Sequence, residues 1–166
     1  PSQTYWFRSQ YGEVQTSQKV AVELELENSE KNRLGMPLPK GTLRVYKADK
    51  AGSQQFVGED AIDHTPRDEK VRIKIGDAFD VVGDRKQMKW TALGNCSSES
   101  AWEVELRNHK DTAVSVETIE ATGGDWTIVS SSLPAERKDS QTFAFRAQVP
   151  AHGKTKITYV VRVRWC

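Results

Sequence analysis

The densest group of residues able to do chemistry is the run Gly58, Glu59, Asp60, Ala61, Ile62, Asp63, His64, Thr65, Pro66. Asp60, Asp63 and His64 carry the oxygen and nitrogen donors that hold divalent metals, and a carboxylate beside an imidazole can also orient it as a general base. The spacing weighs against a shared ion. In an extended segment Asp60 and His64 share a face with Cα atoms about 13 Å apart at 3.3 Å per residue. The competing reading is local: Asp63 turns the chain ahead of Thr65-Pro66, and His64 hydrogen-bonds nearby. Asp77 and Asp80 form a second acidic pair, but calcium takes six to eight oxygens from a tight loop, and no D-x-D-x-D-G run exists. A polar turn after Gly76 is expected there. Ser130, Ser131 and Ser132 have no neighbouring histidine and no G-x-S-x-G setting. His64, His109 and His152 fall in loops or strand ends, none with a second histidine two or four residues on, and no glycine-rich phosphate cradle is present. The residues therefore assign no catalytic group, metal or cofactor.

Five tryptophans raise a different chemistry, a stacking platform for sugars. Trp102 and Trp165 share the parity of the apolar rows of their strands, and Trp126 follows Gly123-Gly124-Asp125, so these three and Trp90 are expected in the core. Trp6 sits between Tyr5 and Phe7 in a segment without clear alternation. If exposed, Tyr5, Trp6 and Phe7 mark a contact surface. Cys96 and Cys166 either pair or stand as two free thiols. A bridge would close a loop of about 70 residues, worth about 4 kcal/mol in the chain-entropy model, and would place the chain in an oxidising compartment.

These groups are carried on strands. The 166 residues include 16 Val, 6 Ile and 12 Thr against 8 Leu, a balance that suits pleated sheet better than helix. From Lys19 to Asn28, Val20, Val22, Leu24 and Leu26 point one way and Glu23, Glu25 and Glu27 the other. The same period recurs over residues 42–47, 54–59, 71–75, 78–82, 85–91, 102–107, 114–122, 126–129, 142–149 and 155–165, with Gly83 read as a bulge between two pieces of one strand. Leu34 to Gly41, with two prolines, reads as a rigid connector. About ten short strands with turn signals between them predict an all-β, Ig-like antiparallel β-sandwich, or two small sandwiches in tandem, divided as 1–88 and 89–166 if separate. VELELEN at 22–28 and WEVELRN at 102–108 share Glu, Glu, Leu and Asn in register, which suggests an internal duplication.

With 24 basic and 23 acidic residues the net charge is +1, which gives no electrostatic reason to expect nucleic acid. No apolar run approaches the roughly 20 residues of a membrane span. The chain begins at Pro1 without a methionine, so a longer polypeptide is expected, its N-terminal part holding any export signal.

Leu34-Gly-Met-Pro-Leu-Pro-Lys-Gly41, Arg44-Val-Tyr46, Phe56-Val-Gly-Glu-Asp60, Ile62-Asp-His-Thr-Pro66, Gly76-Asp-Ala-Phe-Asp-Val81 and Arg85-Lys86 occur in order and close together. With Leu106-Arg-Asn108, Asp125-Trp126 and Val149-Pro150 through Tyr159, they give the chain a sequence that resembles the bacterial DUF4139 domain over nearly its whole length. The resemblance implies a module following a coiled-coil-bearing region, in a protein of the periplasm or cell envelope. It implies no catalytic residue and no cofactor. Gly58, Glu59, Asp60, Asp63, His64, Thr65 and Pro66 carry over as a signature of unknown role. The preferred expectation is a non-catalytic module for protein contacts or spacing, its partner another protein or the N-terminal region of its own polypeptide. The alternatives are a carbohydrate-binding module and a metal-dependent hydrolase using Asp60, Asp63 and His64.

Overall fold

The computed structural model describes residues 2–10 and 12–166, and the start at Pro1 lies outside them. The chain is almost entirely strand: β1 Ser2–Arg8, β2 Val14–Glu27, β3 Gly41–Ala48, β4 Gln54–Ile62, β5 Lys70–Ala92, β6 Ser97–Asn108, β7 Val114–Ala121, β8 Asp125–Ser131, β9 Glu136–Arg137, β10 Thr142–Val149 and β11 Lys154–Arg164. One turn of 3-10 helix, Glu30–Asn32, interrupts them. A nine-stranded sheet runs β8-β11-β6-β5-β2-β1-β7-β10-β9, and β3 and β4 form a separate two-stranded sheet. The all-β, sandwich-like expectation holds. β6 pairs antiparallel with β5 and β11, β8 with β11, β10 with β7 and β9, and β3 with β4, whereas β1 lies parallel to β7, from Tyr5 opposite Val116 to Arg8 opposite Ile119.

Two compact units divide the chain: Pro1–Thr4 with Ala21–Asp77, and Tyr5–Val20 with Ala78–Cys166. In the first unit, β3 and β4 pair from Gly41 opposite Ile62 to Ala48 opposite Gln54. The hairpin lies on β5 at Gly58, where an added Cβ would meet the Ile75 carbonyl oxygen at 2.5 Å, so only glycine permits that approach. Val22, Val71 and Ile73 are buried beneath it.

The second unit has the larger core. Phe143 on β10 meets Tyr159 of β11 edge-on at 5.3 Å between centroids, and Trp126 of β8 at 5.1 Å, so two layers of strands face each other across aromatic rings. Phe7, Val104, Leu106, Phe145 and Ile157 are sealed between them. Gly83 makes no bulge. It pairs in register with Leu106, and the irregularity of β5 falls between Gln87 and Lys89. A side chain at Gly83 would strike the ring of Phe7, so this glycine serves packing and not a kink. The expected turn after Gly76 is likewise absent, because strand β5 includes Asp77 and Asp80. Lys74 pairs with the Asp77 carboxylate and Lys110 with that of Asp80. β6 begins at Ser97, five residues ahead of the alternation read over 102–107, and β8 extends past 129 to include Ser130 and Ser131.

The repeated motif marks the same device in both units. Asn28 is fully buried at the end of β2; its Nδ2 donates to the carbonyls of Met36, Thr65 and Pro66, and its Oδ1 accepts from the Gly35 N–H. Asn108, at the end of β6, donates to the carbonyls of Thr112, Val149 and Pro150 and accepts from Lys110 N–H. Each carboxamide thus ties three chain segments, including a residue-proline pair that precedes the next long strand. The Asn28 N–H donates to Glu69, the Asn108 N–H to Gly153, in matching places just before β5 and β11. Asp68 and His152, two residues past each proline, both adopt a left-handed conformation (φ 66° and 51°). Asn28→Ala and Asn108→Ala should each cost about 3 kcal/mol, because each truncation removes four hydrogen bonds of a buried carboxamide at about 0.5–1.5 kcal/mol apiece. Urea unfolding of the two variants checks this; losses under about 1 kcal/mol would contradict the role assigned to the carboxamides.

Candidate functional site

The signature segment is occupied with architecture. Glu59 crosses the hairpin to Arg44 at 3.0 Å. The Asp60 carboxylate accepts the N–H of Ala61 through Oδ1 and that of Lys74 through Oδ2, clamping β4 to β5. The Asp63 carbonyl accepts from the Thr65 hydroxyl, and His64 Nδ1 accepts the Lys40 N–H at 3.2 Å. Thr65 forms a two-bond bridge with Leu38, and Thr65 and Pro66 present their carbonyls to Asn28. Asp60, Asp63 and His64 do not converge; no group of three metal-binding side chains comes together among the described residues. His64 therefore bonds to a residue 24 positions away, and Asp63 contributes its backbone carbonyl to a local bond with Thr65.

The same hairpin presents the first unit's most accessible surface. Nearly every residue of β3 and β4 is exposed or half-buried. Leu43 and Val45 turn inward, which sends Arg44 and Tyr46 outward, and a register shift after Val45 sets Tyr46 opposite Phe56. The two rings meet edge-on at 5.7 Å and are both more than half exposed. Cross-strand aromatic pairs stabilise a hairpin by about 0.2–1 kcal/mol, but rings left this open also offer a partner a flat apolar contact. Lys40, Lys47 and Lys50 line the β3 side without an ion pair among the described residues.

Sequence reasoning missed the most heavily buried polar group, which lies in the second unit. Glu120 has no exposed surface, and its Oε2 accepts from Arg85 Nε at 2.9 Å and from the Tyr159 hydroxyl at 2.8 Å. The Arg85 guanidinium lies 3.7 Å from the centre of the Trp102 ring, a cation–π contact away from water. Burial pushes the Glu120 carboxyl above the ordinary carboxylate range, opposed by the Arg85 charge and by hydrogen bonds from Tyr159 and Arg85. Burial likewise pushes the Tyr159 phenol up. Parity was the available signal. Glu120 shares the face of Val114, Val116 and Thr118, and Arg85, Trp102 and Tyr159 hold inward positions of their own strands. Arg85 and Trp102 border a cleft of ≈ 220 Å³, but Glu120 is not among its lining residues, so the carboxyl is sealed from any substrate there. The cluster is a polar tie of the core.

The remaining candidates separate cleanly. Tyr5 and Phe7 are buried in β1, so the expected Tyr5-Trp6-Phe7 surface is corrected: the triplet alternates after all, and only Trp6, with Arg8 over its ring, is part-exposed. Trp126 is buried as expected, its Nε1 donating to the Ser140 carbonyl. Trp102 is half-buried under Arg85, whereas Trp90 and Trp165 are 57% and 54% exposed. Trp165 shares the parity of its strand's apolar row and Trp90 was expected in the core beside it, but Trp90 lies near the end of β5 and Trp165 just past the end of β11. Cys96 and Cys166 form a disulfide with Cα atoms 5.5 Å apart. A disulfide of this kind belongs to oxidising compartments. No helix is long and apolar enough to cross a membrane.

Fold and surface together define an all-β, sandwich-like protein with an exposed β3–β4 hairpin. No protein-family model, curated protein or solved structure matches the chain.

Proposed function

We propose that the chain is a non-catalytic β-sandwich module of a longer bacterial envelope or exported protein, as its resemblance to the DUF4139 domain implies, and that the β3–β4 hairpin makes its protein contacts. The observation that carries this reading is the exposed Tyr46–Phe56 pair on a hairpin whose own strands bury little. The disulfide supports a periplasmic setting. A photo-crosslinking amino acid placed at Tyr46 in the full-length protein in its native cells is expected to give a discrete protein adduct, and the same probe at the exposed Lys89 none. Equal labelling from both positions, or no adduct from Tyr46, sinks the reading.

Carbohydrate binding is the second reading, favoured by the exposure of Trp90 and Trp165. On this reading a soluble β-glucan or chitin oligomer shifts tryptophan emission, and the shift disappears in the Trp90→Ala/Trp165→Ala double variant. An unchanged emission spectrum at millimolar sugar excludes it for those glycans.

A further inference from the structure

We propose that the outer edge of β3 accepts an extended, acidic segment of a partner protein as an added strand, parallel to β3 and centred on residues 40–43. This rests on the contact reading above and narrows it from a surface to a register.

The argument is the internal repeat. Leu38 pairs with Thr65, the residue before Pro66, and Val114 pairs with Val149, the residue before Pro150. Leu38 lies two residues past the Met36 carbonyl that Asn28 holds, and Val114 two residues past the Thr112 carbonyl that Asn108 holds. Four residues on, Thr42 pairs with Ala61 and Thr118 pairs with Phe145. The two hairpins therefore share one register: β3 corresponds to β7, β4 to β10, and residues 40–43 to 116–119. In the second unit the edge of β7 away from β10 is not bare. β1 lies along it in parallel, opposite residues 116–119. The corresponding edge of β3 has no strand on it among the described residues, since β3 and β4 form a sheet of two. One chain thus shows the same hairpin once with its parallel strand and once without.

Charge names the partner. Lys40, Arg44, Lys47 and Lys50 run along this strand and its turn, and only Arg44 is paired. Lysines on an edge discourage pairing with like-charged strands, and an antiparallel β3–β3 contact between two copies would set these cations against each other. An acidic strand meets no such barrier; backbone hydrogen bonds supply affinity and alternate carboxylates supply selection.

The probe is a capped hexapeptide of alternating valine and glutamate, titrated into the isotope-labelled 166-residue protein, with its valine–lysine counterpart as control. The acidic peptide is expected to shift the backbone amides of residues 40–43 and to slow their hydrogen exchange, the basic peptide to do neither. A spin label on the peptide N-terminus should broaden signals near Lys40 and one on the C-terminus signals near Tyr46. Lys40→Glu/Lys47→Glu, with its amide spectrum otherwise intact, should lose at least tenfold in affinity for the acidic peptide and gain affinity for the basic one. Broadening in the reversed order overturns the parallel register. Shifts confined to Tyr46 and Phe56, or no binding by the acidic peptide, overturn strand addition, while the contact reading is decided separately by the crosslink at Tyr46.

Discussion

Arg85→Met is expected to destabilise the protein by about 3–5 kcal/mol, the largest effect of any single substitution considered. The substitution leaves the Glu120 carboxyl fully buried with hydroxyl partners, Tyr159 and Ser9, but without its counterion. A carboxylate in that setting either stays charged without a counterion or takes up a proton; both cost free energy relative to the native pair. Glu120→Gln should cost less, because the amide oxygen still accepts from Arg85 and Tyr159 and the Trp102 ring still covers the guanidinium. The double variant Arg85→Met/Glu120→Gln should recover part of the loss, since no buried charge remains. Urea denaturation of the three variants measures the coupling directly, and strictly additive costs would show that the two groups do not act as a pair.

The same pair has a pH signature. The folded state raises the Glu120 carboxyl above its ordinary value of 4.5, so the native protein holds this proton more tightly than the unfolded chain. Its contribution is complete below about pH 4.5 and is lost as pH rises through the raised value. Asp84 has the opposite sign. Arg107 and the Ser17 N–H hold its carboxylate below 3.8, so its contribution is present above that value and is lost as pH falls through the lowered one. Glu120→Gln should therefore flatten the decline of stability with rising pH while leaving the acid limb in place.

Reduction of the Cys96–Cys166 disulfide should cost about 4 kcal/mol in the chain-entropy model for a loop of this length. The two residues are 70 apart in sequence, and the bridge fastens the end of β11 to the segment just ahead of β6, reinforcing a ladder that already joins those strands. Cys166 is exposed, so a phosphine reductant reaches the bond without prior unfolding. Calorimetry with and without reductant, and of the Cys96→Ser/Cys166→Ser protein, should give matching downward shifts in Tm. A shift below about 2 °C in both would mean that the unfolded chain gains little freedom when the bridge is cut.

Much of this protein was legible one strand at a time. Alternation from Val20 to Leu26, from Trp102 to Leu106 and from Ile157 to Val163 reports which side of a strand is dry, because successive side chains leave a pleat in opposite directions. The motif shared by 22–28 and 102–108 was equally visible, and it leads to Asn28 and Asn108, two carboxamides with the same duty. Where sequence reading failed, it failed on depth. Parity placed Trp165 inward and Trp90 was expected in the core with it, yet nothing local says how far the opposite layer extends, and both are exposed. Glu120 was missed although it shares the parity of Val114 and Val116, because a charge is normally excluded from a dry face; Arg85 and Tyr159, 35 and 39 residues away, make that position tolerable.

By itself the sequence determined the fold class, the strand alternation and the pair of repeated motifs, all of which depend on side chains within a few residues of one another. Tertiary structure alone decided that Gly58 and Gly83 are points of close approach, that Asp60 clamps two strands, that the two cysteines meet, and that one hairpin carries a parallel strand where its counterpart has none among the described residues. Each of these depends on which distant backbone lies alongside, and strand pairing across long loops is set by the fit of whole layers, not by any short run of residues.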